Sequence, residues 1–131
     1  MTVPTLAAMR AETAALAADL DALIDALVTR VGKLDLPQAP DQVVIVGSGD
    51  SRFAGDAVAP AVAELSGSPC RVVPARRFLT FGWPVERRLG PRTVVLGVST
   101  SGRNASVVAA SEVARQAGAR TVALTGVATP C

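Results

Sequence analysis

Residues Val43-Val44-Ile45-Val46 form an unbroken β-branched run that stops at Gly47, and Thr93–Val98 repeats the pattern ahead of Ser99. A strand that is apolar at every position has no face for water. It therefore belongs in a parallel sheet covered by helices on both sides. Helical periodicity follows each run, over residues 51–66 and 104–117, and shorter strands follow at Arg71–Pro74 and Thr121–Leu124. Strand and helix alternating in this way predict an α/β fold with right-handed crossovers.

The longest helical pattern precedes all of this. Leu6, Met9, Leu16, Leu20, Leu23, Leu27 and Val31 recur at steps of three and four, with Thr13 in the missing place. Thr5, after Pro4, is the expected N-cap and Gly32 the expected stop. Asp19, Asp21 and Asp25 take the other side. The stripe either seats the helix on its own domain or zips it against a partner subunit. Pro37 and Pro40 mark a connector, so residues 1–36 read as helix and connector and residues 37–131 as the α/β domain proper. The segment Arg76–Leu89 is ambiguous, a short helix interrupted by Gly82 and Pro84. Nothing after Thr121–Leu124 covers the last strand, which leads us to expect a truncated chain with its final strand missing.

Composition removes several chemistries. The 131 residues contain no His, which excludes Ser-His-Asp and Cys-His catalysis and imidazole zinc ligation within the chain. Cys70 and Cys131 are too far apart to suggest a metal site, and Cys70 reads as a small buried apolar group. No Tyr, three Phe and one Trp leave little with which to stack single-stranded nucleic acid. Net charge is +2, yet residues 1–70 carry −5 and residues 71–131 carry +7. Twelve of the thirteen basic residues are Arg, whose planar fork suits anions. The excess lies in short clusters, which points to a small anion rather than a DNA face. No apolar run approaches the roughly 20 residues of a membrane span, so a soluble cytoplasmic protein is expected.

Two loops carry the chemistry. Gly47-Ser48-Gly49-Asp50-Ser51 joins a buried strand directly to a helix. Its glycines allow a tight turn and a close approach of backbone N–H groups to a ligand. Ser51 reads either as the N-cap of that helix or as a hydroxyl aimed at a ligand oxygen. As a dinucleotide fingerprint the loop is weak, since Arg52 occupies the position of the third glycine, which disfavours a nucleotide-binding domain. The second loop is Ser99-Thr100-Ser101-Gly102-Arg103-Asn104. One hydroxyl would suffice to cap a helix; three in a row, with a glycine, suit a phosphate at a helix N-terminus.

Gly-Ser-Gly-Asp-Ser after the first strand, Ser-Thr-Ser-Gly after the third, and Ala-Gly-Ala-Arg-Thr-Val-Ala-Leu-Thr into the fourth resemble the SIS (sugar isomerase) domain family. Gly67-Ser68-Pro69-Cys70-Arg71-Val72 and Ala75–Phe78 resemble the isomerase half of glucosamine-6-phosphate synthase, and the long first helix is similar to that of the first of its two tandem SIS domains. Ser-Thr-Ser-Gly is equally close to the sedoheptulose-7-phosphate isomerase group.

The resemblance implies a flavodoxin-like doubly wound parallel sheet of order 2-1-3-4, short of its fifth strand. It implies phosphate binding by Ser99, Thr100, Ser101 and Gly102, with Asn104 standing where the family often has Thr. It further implies that Gly49, Asp50 and Ser51 face sugar hydroxyls. Arg103, which many relatives lack, either supplies positive charge or points to solvent.

By the same resemblance the ligand is a hexose or amino-sugar phosphate and the partner a homodimer mate or a tandem second SIS domain. Nucleic acid, membrane, metal and cofactor are not expected. Aldose–ketose isomerisation needs a base, usually Glu, and often His for ring opening. Glu64, Glu86 and Glu112 read as surface charges, so the catalytic residues are unassigned. The alternative is a non-catalytic module that senses phosphosugars or scaffolds an oligomer.

Overall fold

The computed structural model describes residues 5–81 and 89–126. The chain divides into two compact units, Met1–Asp35 and Leu36–Cys131. The first holds α1 (Leu6–Val31), capped by Thr5, whose hydroxyl accepts from the Ala8 amide at 3.3 Å. No residue of α1 is buried.

In the second unit the elements run β1 (Gln42–Gly47), α2 (Asp50–Ser66), β2 (Cys70–Pro74), α3 (Ala75–Phe81), β3 (Thr93–Ser99), α4 (Ala105–Gln116) and β4 (Arg120–Thr125). The four strands form one parallel sheet in the order β2-β1-β3-β4. This is the doubly wound order that the family resemblance implies. The ambiguous segment after Pro74 begins as the helix α3; its residues 82–88, with Gly82, Pro84 and Glu86, lie outside the described residues.

Each helix can be assigned to a face of the sheet, because neighbouring residues of a strand point to opposite sides. A Cβ added to Gly55 of α2 would meet Ile45 at 2.9 Å and Val72 at 3.2 Å. A Cβ on Gly97 of β3 would meet Ser111 and Val107 of α4 at 2.7 and 3.3 Å. Ile45 pairs with Leu96, the neighbour of Gly97. So α2 and α4 cover opposite faces.

The core lies on the α4 face. There Val44, Val46, Val73 and Val95 pack with Ala75 and Phe78 of α3 and Val107, Ala110 and Ala114 of α4. Phe78 is completely buried, which contributes roughly 1.5–3 kcal/mol. The β1 run is buried from Val43 to Gly47, as its composition predicts. β3 departs from expectation: its residues alternate between buried and half-buried. The reason is that α2 packs mainly on β1 and β2, leaving Leu96 and Val98 partly open on that side.

At the amino edge of the sheet β1 and β3 are tied together. The Asp41 amide donates to the Arg92 carbonyl at 2.8 Å, and Arg92 Nε donates to Asp41 Oδ1 at 2.7 Å. The ion pair is exposed, so it adds little energy and mainly holds the register. The Ser68 hydroxyl, buried, donates to the Pro40 carbonyl at 2.6 Å and anchors the connector under β2. Cys70, expected to be buried, is half-buried at the start of β2; its partial burial raises the thiol pKa.

Candidate functional site

β1 and β3 lie side by side and parallel, with Val46 opposite Gly97. From their carboxyl ends the chain leaves in opposite directions, to α2 on one face and α4 on the other. In an open α/β sheet this divergence opens a crevice between the two loops, where ligands bind. Residues 47–51 and 99–104, singled out independently in the sequence, are the two loops that flank it.

The first loop is shaped by its glycines. Gly47 ends β1 with α2 folded tightly over it: a Cβ there would lie 2.8 Å from the Arg52 nitrogen and 2.9 Å from the Ser51 carbonyl carbon. Gly49 has φ 55° and ψ −130°, a backbone region nearly closed to other residues. These values remove Ser51 as the cap. α2 starts at Asp50, one residue before Ser51, and its N-cap is Gly49, which has no side chain to accept the first amides.

Ser51 is thus inside the first turn of α2 and half-buried, with Asp50 exposed before it. Arg52, in place of the third glycine of a dinucleotide loop, lies 3.1 Å from Asp56 and 5.1 Å from the centroid of the Phe53 ring.

The second loop is closed by backbone and hydroxyl bonds. The Gly102 amide donates to the Ser99 carbonyl at 3.1 Å, and the Gly126 amide to the Thr100 carbonyl at 3.0 Å. The Arg103 amide donates to Ser101 Oγ at 3.3 Å, leaving the hydroxyl proton of Ser101 for another acceptor. Ser99 is buried, Gly102 half-buried, and Thr100 and Ser101 exposed.

Asn104 caps α4: its Oδ1 accepts from the amides of Ser106 and Val107 at 3.1 and 3.2 Å. So none of the three hydroxyls at 99–101 is the helix cap. Asn104 keeps its Nδ2 as a donor, but the two first-turn amides it caps are spoken for.

Behind this loop, between α4 and the strands β3 and β4, is an apolar cavity of about 220 Å³ whose lining includes Gly97, Ser99, Gly102, Val107, Ser111 and Thr125. Ser99 and Gly102 therefore belong to both the loop and the cavity wall. Thr125, half-buried and paired with Ser99 across the strands, was missed by the sequence reading. The signal for it was a hydroxyl followed by Gly126 at the end of β4, the pattern already read after β3. Ser48, half-buried between the two loop glycines, is a second omission.

Of the carboxylates weighed as bases, Glu112, with its partner Arg115, is on the wall of this cavity, and Glu64 is not. Glu64 is exposed near the far end of α2. Glu112 accepts from Arg115 at 2.7 and 2.9 Å and from Gln116 at 2.8 Å, and these bonds hold its pKa down to about 2. A carboxyl so acidic is a weak base. Among the described residues no three His, Cys, Asp or Glu side chains come together as metal ligands.

A family model described as the SIS domain matches residues 36–129, which spans both loops and all four strands. The chain belongs to the SIS domain family. Among solved structures, the chain is similar to tagatose-6-phosphate ketose/aldose isomerase from Escherichia coli, 27% identical with a TM-score of 0.60, over 82% of this chain and 29% of that one. Glucosamine-6-phosphate deaminase from Thermotoga maritima shares the fold at 22% identity and a TM-score of 0.59, over 67% of this chain and 27% of that one. The chain thus spans under a third of the length of these two proteins. No curated protein sequence matches it. No helix among the described residues is long and apolar enough to cross a membrane.

Proposed function

We propose that this SIS chain binds a phosphosugar between its two loops and belongs to a sugar-phosphate isomerase lineage. Ser99, Thr100, Ser101 and Gly102, with the Nδ2 of Asn104, would hold the phosphate; Gly49, Asp50 and Ser51 would face the sugar hydroxyls. Residues 37–131 are the binding domain in this reading, and residues 1–36 an accessory helix and connector. The observation that carries it is the position of three hydroxyls and a glycine beside a helix that Asn104 already caps. They stand at the divergence of β1 and β3 without being needed by the helix.

Two features support assigning the isomerising step to groups outside these loops. Aldose–ketose isomerisation moves a proton between C1 and C2 and needs a base of matched pKa. Asp50 is the sole carboxylate on residues 47–51 and 99–104, and Glu112 is too acidic for the task. In this reading a tandem second SIS domain or a homodimer mate supplies the base. The exposed apolar residues of α1, such as Leu16, Leu20 and Leu23, support such pairing. The same lack of a base favours a second reading, a phosphosugar sensor or scaffold without catalysis.

Thermal-shift binding tests the proposal, with fructose 6-phosphate, glucosamine 6-phosphate, sedoheptulose 7-phosphate, AMP and inorganic phosphate on the wild type and Ser101→Ala. Ligand at about 100 times its Kd adds about 2.7 kcal/mol of stability. A sugar phosphate is expected to raise Tm, and Ser101→Ala to abolish the rise. A larger shift with AMP would overturn the reading in favour of a nucleotide.

A further inference from the structure

A phosphate monoester carries a charge of about −1.5 to −2 at pH 7, and hydroxyls bring no charge to answer it. The amides of Ser106 and Val107 at the start of α4 are occupied by Asn104. Around the crevice, Asp50 adds a negative charge, and Arg52 is engaged by Asp56.

Arg103 differs from both. It is exposed, and among the described residues its side chain makes no ion pair or hydrogen bond. Its own amide, donating to Ser101 Oγ, pins its backbone against the hydroxyl loop. Arg76 and Arg77 follow β2, two strand spacings or about 10 Å from β3, so they are the more distant cations.

We propose that Arg103 is a specificity-determining residue of this chain, its guanidinium neutralising the phosphate held at residues 99–102 and so selecting phosphorylated over unphosphorylated sugars. The inference rests on the phosphosugar reading of the site. With Arg103, the charges of Asp50, Arg52, Asp56 and Arg103 balance. Without it the Arg52–Asp56 pair cancels and Asp50 is left as an uncompensated negative charge, which opposes a dianion.

The test is isothermal titration of the full chain with fructose 6-phosphate and with fructose, at low and high salt, for wild type, Arg103→Ala, Arg103→Lys and Ser101→Ala. Arg103→Ala should weaken fructose 6-phosphate by about tenfold or more, the loss of one charge-assisted contact. Its Tm should match wild type, because the side chain is exposed and unpaired. Arg103→Lys should recover part of the affinity, keeping charge without the fork.

Wild-type affinity should rise with pH through the second phosphate ionisation near ~6, and Arg103→Ala should flatten that rise. If Arg103→Ala stays within about twofold of wild type at both salts while Ser101→Ala abolishes binding, Arg103 has no such role and the phosphosugar reading stands. If wild type binds fructose 6-phosphate no better than fructose, both fall together.

Discussion

A Cβ placed on Gly47 would lie 2.8 Å from the backbone nitrogen of Arg52, so the first turn of α2 rests directly on the end of β1. The obstacle is backbone rather than the tip of a flexible side chain, and the loop cannot give way without moving Gly49 and Asp50. Substituting Gly47→Ala should cost about 1–3 kcal/mol, the range for overpacking a tight site. Phosphosugar binding should be lost along with it. Urea denaturation and thermal-shift binding on the same variant check both parts.

Asn104 separates capping from ligand binding. Asn104→Ala removes the acceptor for the Ser106 and Val107 amides and should destabilise by about 0.5–2 kcal/mol. Asn104→Asp keeps a good cap and should hold stability close to wild type. If Nδ2 contacts a phosphate, Asn104→Asp loses that donor and adds a negative charge, so sugar-phosphate affinity should fall while Tm does not. Calorimetric Tm and titration of the two variants, read together, decide it.

Gly97 meets α4 where a side chain does not fit: its added Cβ would be 2.7 Å from Ser111 Oγ and 3.3 Å from Val107 Cγ1. Gly97→Ala should destabilise by roughly 1–3 kcal/mol. Because the nearest obstacle is a single hydroxyl, Ser111→Ala in the same chain should restore part of the loss. A double-mutant cycle by urea denaturation measures that coupling.

Acid stability should report on Glu112. Its carboxyl is held at about 2 in the folded protein, against an ordinary value of 4.5, chiefly by hydrogen bonds from Arg115 and Gln116. A group whose pKa is lowered by folding stabilises the protein above the unfolded value and loses that contribution as pH falls through the folded one. The contribution is therefore complete above about pH 5 and fades towards pH 2. Glu112→Gln should make the stability profile flatter across that window. Urea midpoints at a series of pH values give the comparison.

Local chemistry made most of the elements legible. The run Val43–Val46 can be nothing but a covered strand, since it offers no polar face, and it is buried throughout. Thr5 caps α1 because its hydroxyl reaches an amide three residues ahead, an interaction within one turn. The two loops were readable for the same reason: glycines and hydroxyls concentrated between a strand and a helix are conspicuous without any knowledge of the fold.

What failed or stayed open were details that depend on distant residues. Ser51 was open to two readings, cap or ligand-facing hydroxyl, and the start of α2 at Asp50 with Gly49 as cap removes the first. β3 looked like β1, but α2 packs mainly over β1 and β2, so one face of β3 stays half open. Thr125 went unnoticed because its link to Ser99 is a pairing across strands 26 positions apart.

The sequence by itself determined which segments are strands and helices, that the strands are parallel and sheltered, and that two loops between them are rich in hydroxyls and glycine. Those properties follow from side-chain periodicity and backbone freedom over a few neighbouring residues. Tertiary structure decided which strand ends are neighbours. The order β2-β1-β3-β4 sets β1 against β3, and α2 and α4 cover opposite faces, the arrangement at which open α/β sheets bind ligands. Strand order is settled by hydrogen bonding and packing between segments some fifty residues apart, such as Gln42 against Thr93, and no local pattern carries it.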